Sequence, residues 1–300
     1  MYNSILEIYN SQSISYKINE PMSGHTTFRI GGVADAFVMP DSVDKLISAV
    51  DAAKANNIKY LVIGRGSNLI FPDEGYNGIV ITTERLKNIS VNDNMITSDC
   101  GVTMNQLSSK ARDASLKGLS FAYGIPGFVG GAVYMNAGAY GGQISDVLVR
   151  STYYDPETGK IKTFEKEEHQ FGYRESVYKN NPSYVILSAE FLLDNGDGSV
   201  IKDEMDDFMN RRRTKQPLEY PSAGSVFKRP EGHFAGQLIE ECGLKGRRVG
   251  GAVVSEKHAG FIVNDGAATA KDVKELVDII KTEVFKKFNI NLACEIIFVK

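Results

Sequence analysis

Seven glycines fall between Gly124 and Gly142, in the run GIPGFVGGAVYMNAGAYGG. Glycine averages about 7% of residues in proteins, so a segment this rich in it is unusual. Such small residues let a flat or extended ligand lie directly against the main chain. A second glycine loop, Gly64-Arg65-Gly66-Ser67-Asn68, follows immediately on the apolar strand Tyr60 to Ile63. Its glycines allow close approach to a diphosphate, and N–H groups with a serine hydroxyl can cradle the oxygens. Leu69 stands where the third glycine of a Rossmann fingerprint would fall, which disfavours a nicotinamide-type Rossmann site. A tight turn explains one loop and a packing junction explains the other. Two such loops in one region favour a bound dinucleotide.

Composition narrows the classes. The 300 residues exceed what a single core usually serves, so two or three domains are expected. Apolar residues at 42% and charged residues at 24% are those of an ordinary globular chain. The net charge of −3 gives no reason to expect nucleic acid or an anionic membrane. No apolar run approaches the roughly 20 residues of a membrane span. The start, MYNSILEIYNSQSISY, lacks the pattern of a secretory signal. Cys100, Cys242 and Cys294 are odd in number and share no C-x-x-C spacing, and His25, His169, His233 and His258 form no metal motif. Neither a phosphate-loop lysine motif nor a nucleophile elbow is present. The expectation is a cytoplasmic protein with no metal, in which a cofactor carries the chemistry.

Along the chain, Val43, Leu46, Ile47 and Val50 have helical spacing over 42–56, with Asp41 available as a cap. Strands are expected at 60–63 and 78–82, giving a βαβ-like start, then a strand at 95–100 and a helix at 103–116. Further strands fall near 146–154 and 184–192. The turn-rich DNGDGS at 194–199 reads as a domain boundary. Beyond it come a helix at 200–215 and strands at 249–254 and 260–264. A helix over 271–288 carries Val273, Leu276, Val277, Ile280, Val284 and Phe288 on one face, and NLACEIIFV closes the chain as a strand. The fold class is α+β.

Several segments together resemble the UDP-N-acetylenolpyruvoylglucosamine reductase family. They are TTFRIGG (26–32), GRGSN (64–68), the glycine block, FGYRES (171–176), SAGSVFKRP (222–230) and L-x-x-E (292–295), in order over roughly 25 to 300. The resemblance implies an FAD-binding domain of the vanillyl-alcohol oxidase/PCMH type and a smaller α+β substrate-binding domain. A 1–20 lead-in then precedes an FAD-binding domain over 21–195, with lobes of about 21–83 and 84–195. The substrate domain covers 200–300, its final strand returning to the active site. The implied cofactor is non-covalent FAD, since neither glycine block holds a His or Cys placed for a flavin linkage. NADPH is the implied co-substrate, and the implied reaction reduces UDP-N-acetylglucosamine enolpyruvate to UDP-N-acetylmuramate in peptidoglycan precursor synthesis. No obligate protein partner is expected.

Carried over by motif, cofactor contacts fall on Gly64, Arg65, Gly66, Ser67 and Asn68. They also fall on Gly124, Ile125, Pro126, Gly127, Gly130, Gly131, Ala132, Asn136, Gly138 and Ala139. Arg174 and Glu295 are the implied stabilisers of an enolate-like intermediate, Ser225 the proton donor, and Tyr173, Lys215 and Arg229 the substrate contacts. The match departs from the common pattern in two places: K-R-P follows the serine motif instead of K-N-P, and the end reads LACEI instead of L-E-x-E-V. These resemble the shorter subgroup, which lacks an extra tyrosine-bearing substrate loop.

The chemistry asks for such residues. Adding hydride to the β-carbon of an enolpyruvyl ether puts negative charge at C2 and its carboxylate, and a guanidinium gives that species a bidentate partner. A carboxylic acid kept neutral can also hydrogen-bond an enolate. Taken singly, Arg174 reads as a surface arginine, Ser225 as a turn serine, and Glu295 as one half of an ion pair. Arg211, Arg212, Arg213 and Lys215 equally suit a helix C-terminus. A rival enzyme reading is another FAD-dependent oxidase or dehydrogenase of the same fold acting on a small alcohol; a non-catalytic nucleotide-binding module is a third.

Overall fold

The computed structural model describes residues 3–300, so the first two residues of the expected 1–20 lead-in lie outside the described residues. The chain divides into two compact units, each drawn from non-adjacent segments. One contains the residues up to Ile18, Ala36–Arg65 and Gly78–Asn210; the other contains Asn19–Asp35, Gly66–Asn77 and Arg211–Lys300. This differs from a division at 194–199. Asp194 and Asn195 pair with Lys117 and Leu116, and the units part at Asn210/Arg211, inside the helix Gly198–Lys215. Turn-forming residues mark where a chain reverses, not where its contacts cease.

One sheet, most of whose residues belong to the first unit, has the order Ser15–Pro21, Val33–Met39, Tyr76–Thr82, Tyr60–Ile63. Tyr60–Ile63 runs parallel to Ile79–Thr82, as a βαβ-like arrangement requires. The helix, however, precedes both strands, and most of the stretch between them (Gly66–Asn77) belongs to the second unit. That helix, Val43–Ala55, is capped by the Ser42 hydroxyl accepting from Lys45 N–H. Asp41, the expected cap, instead pairs with Lys45 Nζ at 2.9 Å. The lead-in is built into the core: the helix Asn3–Ser11 buries Ile5 and Tyr9, and the Tyr9 hydroxyl donates to the Ala49 carbonyl. A second, antiparallel sheet has the order Lys160–Glu165, Leu148–Asp155, Val185–Leu192, Met95–Asp99, Ile89–Asn92. The expected helix at 103–116 spans Met104–Asp113, started by a capping box between Thr103 and Gln106.

The second unit is built on an antiparallel sheet in the order Ser222–Ser225, Phe261–Asn264, Ala252–Val254, Arg248–Val249. The single strand expected over 249–254 is in fact two, reversing at Gly250–Gly251. The helix Ala270–Phe288 begins at a Thr269/Asp272 capping box and stops at left-handed Asn289. Val273, Leu276, Val277, Ile280 and Val284 supply its buried stripe, with Phe288 at the margin. The closing segment is a regular strand only at Ile297–Phe298, parallel to Leu69–Ile70. It divides its bonds between two neighbours: Lys228 N–H donates to Ala293, Glu295 N–H to Val226, Ile297 N–H to Asn68 and Val299 N–H to Ile70. No described helix is long and apolar enough to cross a membrane.

Candidate active site

The glycine block of the first unit is pinned from below and open above. Gly130 N–H donates to Cys100 O and Val129 N–H to Val102 O, each at 2.9 Å, and a Cβ on Gly130 would come to 3.0 Å from that of Cys100. Gly131, next in the chain, is exposed, and a Cβ there would meet nothing within 4 Å. One side of this backbone is therefore committed to packing and the other is free to receive a ligand. Gly124 N–H is held by the Asn105 side chain at 2.7 Å, and Met104 N–H bonds Gly127 O at 3.0 Å. Gly64 is half-buried against the Phe128 ring and Arg65 is exposed. Burial pushes the Cys100 thiol up to about 12, so it is not a thiolate beside the block.

Asn136 links the block to Arg174. It is 1% exposed, and its side chain donates to Gly172 O at 3.0 Å and accepts from Ser145 N–H at 2.9 Å. Gly172 and Glu175 exchange backbone bonds, closing a tight turn over Tyr173 and Arg174. Arg174 has φ +59, a left-handed conformation that costs a non-glycine residue about 1–3 kcal/mol and recurs at functional sites. Its guanidinium donates to Gly138 O at 3.2 Å and Asn136 O at 3.5 Å, and lies 5.1 Å from the centroid of the exposed Tyr173 ring.

In the second unit, the Gly66-Ser67-Asn68 part of the GRGSN loop and the two remaining candidate catalytic residues are joined through backbone. Gly66 has φ +62 and faces the His25 carbonyl at a separation no Cβ would tolerate. The Asn68 side chain donates to Glu295 O at 3.0 Å, while Asn68 O accepts from Ile297 N–H, so Glu295 is bracketed on both sides. Glu295 N–H donates to Val226 O at 2.8 Å, placing it beside the residue that follows Ser225. The strand carrying Ser225 is irregular between Ser222 and Ser225, with Gly224 at φ +74, and Ser225 is exposed. A bulge of this kind re-aims a side chain out of the ladder. Glu295 is half-buried, between buried Ile296 and half-buried Cys294. Cys242 and Cys294 border the core instead of lying within it.

Lys215 is exposed at the end of its helix. Exposed Arg229 rests its guanidinium 4.6 Å from the Phe234 ring centroid. Ser67 is half-buried, as are Ile125, Gly127, Gly138 and Ala139; Pro126 is exposed and Ala132 buried. Sequence reasoning missed Ser151 and its partners His169 and Tyr178, which stand at the two ends of the stretch that carries the Arg174 turn. They are separated by 18 and 27 positions, and no local pattern joins them.

Residues 34–165 match an FAD binding domain, and residues 216–299 match the UDP-N-acetylenolpyruvoylglucosamine reductase C-terminal domain. A UDP-N-acetylenolpyruvoylglucosamine reductase of Alkaliphilus oremlandii is 48% identical over 280 residues, 93% of this chain and 91% of that protein. One of Clostridium novyi is 47% identical with the same coverage. The crystal structure of the Thermus caldophilus UDP-N-acetylenolpyruvylglucosamine reductase superimposes with a TM-score of 0.81 at 33% identity. That match covers 96% of this chain and 99% of the other.

Proposed function

The chain belongs to the UDP-N-acetylenolpyruvoylglucosamine reductase family, and from that premise we infer that it reduces UDP-N-acetylglucosamine enolpyruvate to UDP-N-acetylmuramate with NADPH. The FAD-binding domain has the α+β fold expected, and the open Gly131 backbone fits a flat cofactor. FAD, when bound, supplies hydride taken from NADPH to the C3 methylene carbon of the substrate. The two glycine loops would hold the cofactor, with Gly131, Gly64 and Ser67 among the candidate contacts. The reading carries a cytoplasmic location with it, since the reaction consumes NADPH and a nucleotide sugar.

The observation that carries the reading is the backbone tie between the segments of Ser225 and Glu295. Ser225 is exposed on a bulge and Glu295 is half-buried, and the Glu295–Val226 backbone bond joins the segments that carry them. Ser225 Oγ holds the proton that goes to C2. Serine is a weak acid, so it acts only on a very basic carbon. Glu295 hydrogen-bonds the developing enolate, and Arg174 meets its carboxylate with a forked guanidinium. Tyr173 orients Arg174, Lys215 receives the diphosphate, and Arg229 contacts the substrate.

The test is the visible spectrum under anaerobic conditions. NADPH should bleach the flavin absorbance and the enolpyruvyl substrate should restore it, one NADPH per product. Oxygen uptake with a small alcohol, and no response to the enolpyruvyl substrate, would instead identify an oxidase of the same fold.

A further inference from the structure

Ser151 lies fully buried on the strand Leu148–Asp155, and its hydroxyl oxygen meets two partners at once. His169 Nε2 is 2.7 Å away and the Tyr178 hydroxyl 2.6 Å. His169 Nδ1 in turn lies 2.9 Å from the Lys166 carbonyl oxygen. A carbonyl only accepts, so Nδ1 bears the proton and Nε2 of the neutral ring accepts. Ser151 must therefore donate to His169 and accept from Tyr178, which gives the chain of bonds a single direction. Burial pushes the His169 pKa down and favours that neutral form. Rings surround the three groups. Phe171 stacks on His169 at 5.0 Å, while Tyr153 and Phe164 meet Tyr178 edge-on at 5.8 and 5.7 Å.

His169 and Tyr178 are the two ends of the stretch that carries the Arg174 turn. Bonding both to one oxygen fixes the span of that stretch. On its other side, Asn136 holds Gly172 O and the Ser176 hydroxyl donates to Tyr134 O at 2.7 Å. The left-handed Arg174 therefore sits between two sets of side-chain ties, one to the glycine block and one to Ser151.

We propose that Ser151 is a positioning residue for Arg174, joining His169 and Tyr178 at one atom and so holding the guanidinium where the substrate carboxylate is met. The proposal rests on the role assigned to Arg174. It gives a hydroxyl with no access to solvent a part in the substrate half-reaction and none in the NADPH half-reaction.

The test compares Ser151→Ala, Tyr178→Phe, their double variant, Ser151→Thr and Arg174→Ala by rapid mixing. A displacement on the order of 1 Å costs up to about 10²-fold, so each single removal should slow flavin reoxidation by the enolpyruvyl substrate about tenfold to a hundredfold. Flavin reduction by NADPH should stay near the parent rate. The double variant should be no slower than the slower single, because both break the same tie. Ser151→Thr, which keeps a hydroxyl, should recover most of the rate. In the imidazole ¹⁵N spectrum, His169 should show the Nδ1–H tautomer in the parent, and its Nε2 signal should shift in Ser151→Ala as that nitrogen loses the proton donor it accepts from. Tyr178→Phe removes one oxygen and keeps the ring packing, so it decides the matter should Ser151→Ala fail to fold. Equal slowing of both half-reactions, no slowing of either, or additive losses in the double variant would overturn the proposal. Should Arg174→Ala alone slow reoxidation, this inference falls while the reading of Arg174 stands. Should Arg174→Ala leave reoxidation intact, both fall.

Discussion

Arg174 and Ser225 are both presented by irregular backbone, and the two units absorb the irregularity differently. At Ser225 the left-handed conformation belongs to the neighbouring Gly224, which adopts it at no steric cost, and main-chain bonds do the rest. At Arg174 the candidate residue itself is left-handed, at φ +59, and its turn lies between side-chain ties: Asn136 to Gly172 and Ser176 to Tyr134, with His169 and Tyr178 both bonded to Ser151. A site set by main chain and glycine tolerates substitution of its functional side chain without moving. A site set by side-chain bonds can be displaced by mutations in residues that touch no ligand.

Ser225→Ala probes the first kind of site and carries the largest expected effect. Because Gly224 and the Glu295–Val226 bond remain, geometry should survive and only the proton donor is lost. Positioned general acids contribute roughly 10²–10⁴-fold, so turnover should fall by that order while NADPH still bleaches the flavin. Rapid mixing of reduced enzyme with the enolpyruvyl substrate in D₂O measures it; an unchanged reoxidation rate removes Ser225 from the mechanism.

Arg174→Ala and Glu295→Ala come next, at about 2.7–4 kcal/mol each in the substrate half-reaction, the usual cost of one preorganised partner of a developing oxyanion. Arg174→Lys should restore little, because an ammonium lacks the planar fork. Full recovery by lysine in steady-state assays would reduce Arg174 to a point charge.

A stability comparison is smaller. Thr269→Ala removes half of the capping box that starts Ala270–Phe288 in the second unit, and should cost about 0.5–2 kcal/mol. Thermal unfolding should register the loss with both half-reactions unaltered. A changed substrate rate would mean that the helix start contributes to the site.

The smallest effect is a pH dependence shared by the two units. Burial holds the pKa of His169 in the first unit and of His258 in the second below the ordinary value of 6.5. The unfolded chain takes up these protons near 6.5 and the folded chain only at lower pH. Stability should be flat above about 6.5 and should fall as pH drops through the window beneath it. His258→Gln should flatten part of that acid-side fall in a melting-temperature series. A steeper fall in the variant would contradict the assignment.

Much of this was legible in the sequence for local reasons. The stripe from Val273 to Val284 is read from spacing alone, and the two glycine loops announce themselves by composition. Other features were not. The helix Asn3–Ser11 looks like a polar lead-in until Ile5 and Tyr9 are seen against Ala49 and its neighbours. The closing segment looks like one strand because its apolar residues are contiguous, yet it divides its hydrogen bonds between partners from 68–70 and 226–228.

By itself the sequence determined the chemistry available: two glycine-rich loops, and an arginine, a serine and a glutamate in segments matching one family. Periodicity, capping and turn preferences act over a few residues, so they are written into neighbouring positions. Only the tertiary structure decided how those residues are held. The Arg174 conformation depends on Asn136, Ser151, His169 and Tyr178, and the Glu295 backbone depends on Asn68, more than two hundred positions away. Hydrogen bonds between groups so far apart in the chain come into being only when packing has closed the intervening loops, and no local pattern records them.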